Sequence, residues 1–271
     1  MNEFISANRE LWDQLTPIHH RSEFYEVDQF KQGKCLLTGI DRDEVGNVTG
    51  QSLLHLQCHF GLDTLCWARR GAIVTGADFS EPAIALARSL AAEHAPEAKF
   101  VCSNIYELPK HLTGQFDIVF TSGGVLTWLP DIKAWAEVAA HFVKPGGTFY
   151  IREFHPMGGI LYDEDPPEAA PRIGYPYFHN DKPLFFEGDG SYADPKANVN
   201  KPSYEWMHSL ADVVTSLVAA GLRIEYLHEF PFNSYQSHPF LIRSEDGYWR
   251  YPQHPDSIPL MFSVKATKDL P

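Results

Sequence analysis

His55, Gln57, His59 and Gly61 stand at alternate positions, and Asp78 follows 17 residues after the glycine; these are the residues of the chain best spaced to do chemistry. The first four lie in Ser52-Leu53-Leu54-His55-Leu56-Gln57-Cys58-His59-Phe60-Gly61-Leu62-Asp63-Thr64-Leu65, which reads as strand, tight turn and helix. Ala72-Ile73-Val74-Thr75-Gly76-Ala77-Asp78 reads as a second strand ending in a carboxylate. In a parallel sheet that order opens a crevice at the carboxyl edge, where an acid accepts hydrogen bonds from ribose hydroxyls. An adenosine-containing cofactor is therefore expected. Gly61, opening the helix, turns the positive end of its dipole toward an anionic group.

The elements that must position these residues alternate along the chain. Strands are expected at 52–57, 72–78, 98–102, 116–121 and 147–153, with helices at 61–70, 81–93 and 131–143. Ser80-Glu81-Pro82 is a helix start, with serine as cap and proline in the first turn. Lys144-Pro145-Gly146-Gly147 is a helix stop. Apolar strands alternating with helices imply a parallel sheet covered on both faces. Ahead of it, helices are expected over 3–15, ended by Thr16-Pro17, and over about 22–31. Residues 155–205 are rich in proline and aromatics without periodicity, and read as an ordered cap over the crevice. A helix over 208–220 and strands over 222–230 and 258–267 complete the chain. The expected organisation is an N-terminal helical segment (1–50), a cofactor-binding core (51–154), a cap insertion (155–205) and a C-terminal part of the sheet (206–271).

Composition narrows the function. The net charge is −13, with 22 Lys+Arg against 35 Asp+Glu, which argues against nucleic acid and anionic membrane surfaces as partners. No apolar run approaches a membrane span. Met1-Asn2-Glu3-Phe4 opens no secretion signal, so a cytoplasmic protein is expected. Cys35, Cys58, Cys66 and Cys102 have neither CxxC nor disulfide-framework spacing and read as reduced, mostly buried thiols. Despite thirteen histidines there is no HExxH or His-x-His, and no metal is expected.

The order of these pieces resembles the class I S-adenosylmethionine-dependent methyltransferases, over residues 50–155 and, by topology, 206–268. The matching runs are Gly61, Asp78, Ser103-Asn104-Ile105, Phe116-Asp117-Ile118-Val119-Phe120-Thr121-Ser122 and Phe142-Val143-Lys144-Pro145-Gly146-Gly147. In that family the first strand ends in an acid and three alternating glycines follow. Here those positions are His55, Gln57, His59 and Gly61, so only the last glycine is kept. The His-Leu-Gln-Cys-His-Phe-Gly variant is similar to a subgroup of uncharacterised bacterial methyltransferases. The resemblance implies an α/β, Rossmann-like doubly wound seven-stranded sheet, mostly parallel with an antiparallel last strand, plus the irregular cap. It implies S-adenosylmethionine as cofactor, held by His55, Gln57, Cys58, Gly61, Asp78, Phe79, Asn104, Ile105, Thr121 and Ser122. Gln57 and His59 then imply a turn in ordinary backbone regions or modest strain.

Methyl transfer needs alignment and exclusion of water more than a catalytic side chain. His155, after the fifth strand in Arg152-Glu153-Phe154-His155-Pro156, is the candidate proton acceptor at the crevice rim. Glu153 is expected to pair with Arg152 or to be structural. Trp206, His208 and Tyr235 are candidate walls of a pocket for a small-molecule acceptor, with His238 nearby. The Asn/Asp-Pro-Pro-Tyr/Phe tetrad of adenine and glutamine N-methyltransferases is absent after the fourth strand. Two other readings share the crevice: an NAD-dependent oxidoreductase, and a non-catalytic cofactor-binding module. Oligomeric state and acceptor identity are not legible.

Overall fold

The structure, a computed structural model, describes residues 3–270 apart from 163–165, 167–169 and 189. Three helices come first, α1 (Glu3–Arg21), α2 (Val27–Lys31) and α3 (Gly39–Val45). The alternating core follows as β1 (Ser52–Leu56), α4 (Leu62–Arg69), β2 (Ile73–Asp78), α5 (Glu81–His94), β3 (Lys99–Cys102), α6 (Leu108–His111), β4 (Phe116–Thr121), α7 (Ile132–Phe142) and β5 (Val143–Phe154). Beyond it lie α8 (Pro156–Gly159), an antiparallel pair β6 (Leu184–Phe186) and β7 (Ser203–Glu205), and α9 (Leu210–Ala219). The chain closes with β8 (Leu222–Phe230), a small hairpin of β9 (Ile242–Arg243) and β10 (Trp249–Arg250), and β11 (Met261–Lys268).

Seven strands form one sheet in the order β3-β2-β1-β4-β5-β11-β8. β1 to β5 run parallel, and β11 pairs antiparallel with both β5 and β8. This is the doubly wound, mostly parallel sheet with an antiparallel last strand. The reversal of strand order at β1/β4 opens the crevice at their carboxyl ends.

Neighbouring side chains on each strand leave by opposite faces, so each strand feeds two cores. Leu54, Val119, Phe149 and Ile151 pack with Trp135 of α7 and Leu217 of α9. Leu53, Ile118, Phe120 and Tyr150 pack with Trp67 of α4, Ile84 of α5 and Phe30 of α2. Burying both faces explains the nearly unbroken apolar runs. Gly76 marks a tight point between them: a Cβ there would meet the Phe100 ring at 2.7 Å and Cys58 Sγ at 2.8 Å. Gly76→Ala is expected to cost about 1–3 kcal/mol through overpacking, read as a lower urea midpoint. An unchanged midpoint would mean that the Phe100 ring moves aside freely.

Several boundaries differ from expectation. α1 does not stop at Thr16-Pro17 but runs to Arg21 with Pro17 inside it. Thr16 Oγ1 bonds the Trp12 carbonyl at 2.8 Å, and the buried His19 in the last turn bonds Ser191 and His59. These tertiary contacts outweigh the missing amide of one proline. α2 is shorter than expected, and α3 was not anticipated; its start is capped by Thr38, whose Oγ1 accepts from Asp41 N–H at 3.1 Å. β5 begins at Val143, ahead of the Pro145-Gly146-Gly147 turn, and carries an irregularity where it meets β4. β11 starts at Met261 rather than 258. The four cysteines are free; Cys58 and Cys66 are buried, Cys35 and Cys102 half-buried. No helix among the described residues is long and apolar enough to cross a membrane.

Candidate functional site

The turn after β1 is unusual in its backbone. Gln57 (φ +56°), His59 (φ +50°) and Gly61 (φ +79°) all lie in the left-handed region. Of the two expected alternatives, ordinary backbone regions or modest strain, the strained turn forms. A left-handed conformation costs an ordinary residue about 1–2 kcal/mol, so something must hold the first two. Asp78, at the end of β2, accepts from His59 N–H at 2.8 Å and from Ser80 N–H at 3.0 Å. Gln57 is braced by its side chain: Oε1 accepts from Trp135 Nε1 at 3.2 Å, and Nε2 donates to the Val125 carbonyl at 3.4 Å. That amide props the turn against α7 and the 122–129 loop. A Cβ on Gly61 would meet the Phe100 ring at 2.7 Å, so close packing and a positive φ both select glycine there.

The turn lies against a cleft of about 740 Å³. Of the cofactor candidates, His55, Gln57, Cys58, Gly61, Asp78, Phe79, Asn104, Ile105 and Ser122 all line it, and so does Tyr235. Thr121 does not; its hydroxyl is buried in the sheet without a hydrogen-bond partner. Burial pushes the Asp78 carboxyl up to about 6, against the pull of backbone N–H groups from Ser80, His59 and Phe79. Asn104 Oδ1 accepts from Tyr106 N–H at 2.9 Å, which leaves the amide nitrogen for a ligand. His55 is buried, with Nδ1 2.8 Å from Thr64 Oγ1 and Nε2 3.1 Å from Ser122 Oγ. Burial lowers its pKa to about 3, so the ring is neutral and ties α4 to the end of β4.

The other acceptor-side candidates lie outside the cleft lining. His155 caps α8, its Nδ1 accepting from Met157 N–H at 3.0 Å, and its Nε2 lies 2.8 Å from Glu229. It is a buried joint between β5 and the neighbouring strands. Trp206 is buried against Phe4, and its backbone N–H donates to the Thr127 carbonyl at 2.8 Å. His208 bonds the Leu129 carbonyl at 2.7 Å and stacks on His179. His238 lies against Ser237 and Phe240.

The N-terminal helices and the cap, the latter expected over the crevice, supply further walls. Trp12 meets the His59 ring at 5.1 Å and Trp128 at 5.3 Å. Tyr25 and Tyr192 share a hydroxyl contact, and Tyr235 packs between Tyr192, Phe24 and Phe154. His19 Nδ1 lies 3.0 Å from His59 Nε2, while His59 Nδ1 is buried without a partner. Two charged groups were also missed. Arg152 does not pair with Glu153; its Nε donates to Asp41 at 2.8 Å. Adjacent strand residues face opposite ways, a signal that rules out the Arg152–Glu153 pair. Asp63, in the first turn of α4, lines the cleft, and burial pushes its carboxyl up to about 6, against the pull of nearby Arg152 and Ser122. Its sequence position alone reads as an ordinary complement to the helix dipole. Among the described residues, no three His, Cys, Asp or Glu side chains converge as metal ligands.

Residues 53–147 match a protein-family model described as a methyltransferase domain. The chain is 32% identical over 116 residues to a ubiquinone biosynthesis O-methyltransferase of Cronobacter sakazakii, which covers 43% of this chain and 47% of that protein. It is 28% identical over 160 residues to the Escherichia coli protein of the same name, covering 53% and 66%. The chain thus spans about half the length of the first of these relatives. Among solved structures, an S-adenosylmethionine-dependent methyltransferase from Mesorhizobium loti superposes with a TM-score of 0.57 at 20% identity, over 87% of this chain and 99% of that one. The glycopeptide N-methyltransferase MtfA in complex with S-adenosylmethionine superposes with a TM-score of 0.53 at 17% identity, over 85% of each chain.

Proposed function

We propose that this chain, which carries a methyltransferase domain on a class I sheet, moves a methyl group from S-adenosylmethionine to a small-molecule acceptor by in-line displacement. The observation that carries the reading is Asp78, a buried carboxylate at the end of β2 that faces the cleft beside a turn with left-handed residues at 57, 59 and 61. Left-handed residues at those three places bring backbone close to a ligand where side chains would otherwise intrude. The cleft volume lies in the range for a cofactor with a small partner. The partnerless His59 Nδ1 is a further polar atom that a ligand would satisfy.

When bound, S-adenosylmethionine supplies an activated methyl: its S–CH₃ bond breaks as a new bond forms to the acceptor, and the sulfonium becomes a neutral thioether. The protein's share is placement. Asp78 would receive the ribose hydroxyls, and Phe79, Asn104 and Ile105, which line the cleft beside it, would hold the adenine. Trp12, Tyr25, Tyr192 and Tyr235 wall the acceptor side and exclude water, which holds nucleophile and methyl in line. No side chain need take the acceptor's proton early, and His155, outside the cleft lining with its ring held by Met157 N–H and Glu229, is not assigned that role. The relatives' names make an oxygen acceptor the first to test, and the aromatic walls favour a flat one. This reading implies a cytoplasmic enzyme, where the cofactor is available, and no nucleic-acid substrate.

Calorimetric titration with S-adenosylhomocysteine tests the reading, and a folded protein that takes up none defeats it. The affinity is expected to depend on pH. Asp78 titrates near 6 in the free protein, and only its ionised form accepts from both hydroxyls. Binding therefore weakens as pH falls through 6, and the ionisation of Asp78 alone contributes about tenfold between pH 7.5 and pH 5. A flat profile over that range removes Asp78 from the ribose site.

A further inference from the structure

We propose that Asp63 is the carboxylate that receives the α-ammonium group at the amino-acid end of the cofactor, a role that position 55, a histidine tied to Thr64 and Ser122, does not fill. The inference rests on the cofactor reading above.

An ammonium group taken out of water needs an opposite charge or a full set of acceptors. Four carboxylates line the cleft among the described residues: Glu26, Asp63, Asp78 and Glu205. Glu26 is paired with Lys34 at 2.7 Å. Glu205 accepts from Thr127 and Ser203 hydroxyls. Asp78 is turned toward the amides of His59 and Ser80, at the outer strand of the crevice. Asp63 alone of the four opens α4 directly after the β1 turn, next to Thr64, whose hydroxyl holds His55, and its carboxyl lies near Ser122 at the end of β4.

Charge gives an independent argument. Arg152 lies near Asp63, but its charge is matched by Asp41 at 2.8 Å, in a pair almost wholly buried. The other titratable groups facing Asp63 are the Tyr25 hydroxyl and the Cys66 thiol, which burial holds protonated. The three charges therefore sum to one negative unit, so a single cation neutralises the pocket. Distance agrees as well. Asp78 ends β2 and Ser122 follows β4, with β1 between them. Two strand spacings are about 10 Å, comparable with the six-bond path from the ribose ring through sulfur to the α-nitrogen. A ligand with hydroxyls at one end and an ammonium group at the other spans that gap.

The test compares two ligands on wild type and Asp63→Asn. S-adenosylhomocysteine carries the ammonium group; methylthioadenosine keeps adenine, ribose and sulfur but has a methyl group in place of the amino-acid end. Asparagine preserves shape while removing the charge, and the melting temperature checks folding. The expected result is at least a tenfold loss of S-adenosylhomocysteine affinity, with methylthioadenosine affinity kept within about twofold and Asp63→Glu restoring part of the loss. Equal losses for both ligands, or no loss for either, overturn the assignment. A wild-type protein that binds methylthioadenosine as tightly as S-adenosylhomocysteine overturns it too. If wild type binds neither, the cofactor reading itself fails, and this assignment with it.

Discussion

Asp78→Ala is expected to weaken S-adenosylhomocysteine binding about 100-fold while leaving a folded protein. Two hydroxyl-to-carboxylate hydrogen bonds at about 1.5 kcal/mol each amount to about 3 kcal/mol, and each 1.4 kcal/mol is a factor of ten. The substitution also strips the acceptor from His59 N–H and Ser80 N–H, which loosens the backbone tether of the left-handed His59. Stability changes less than affinity, because the same substitution removes a carboxylate that burial already disfavours as an ion. Asp78→Asn, which keeps one oxygen, is expected to fall between. The check is calorimetric titration beside a melting curve. Wild-type affinity in a normally melting Asp78→Ala variant places the ribose elsewhere.

Much of the core was legible because periodicity and local chemistry agree there. Ser80 caps α5 by accepting from Ala83 N–H, with Pro82 in the first turn as its sequence suggests. The β1–α4–β2 order by itself puts Asp78 at the crevice. What was not legible depends on tertiary contact. Pro17 reads as a stop, yet His19 two residues later is anchored to Ser191 and His59, in segments distant in sequence. The aromatic residues of the cap and of the segment just after it have no period, so nothing in the chain distinguishes Tyr192, which lines the cleft, from Trp206, which is buried away from it. At Gln57 and His59 the turn keeps the backbone shape of glycine without glycine. The compensating braces, Trp135 and Asp78, lie 78 and 19 residues away. A window around the motif sees the departure but not what repairs it.

Glu153→Ala is expected to be the most destabilising single change near the site. Glu153 is buried, and its carboxylate accepts from the backbone N–H groups of Gly124, of Val125 at 2.8 Å, of Leu126 at 3.1 Å and of Phe154 at 2.7 Å. Burial raises its pKa, and those amides oppose the rise by stabilising the anion. Alanine leaves several buried donors without an acceptor and opens a cavity, for a loss of about 3–5 kcal/mol. In a chain of this size that is about 10 °C in melting temperature at 2–4 °C per kcal/mol. Glu153→Gln keeps the shape but turns an NH₂ donor toward N–H donors, so it recovers only part of the loss. The damage falls on the segment that carries Gly124, Val125 and Leu126, and that segment is a wall of the cleft whose Val125 carbonyl holds the Gln57 amide. Faster amide exchange at 124–126 and weaker S-adenosylhomocysteine binding should therefore accompany the lower melting temperature. A variant that melts like wild type, with those amides still protected, would show that water or a neighbouring group replaces the carboxylate and that Glu153 does not hold the wall.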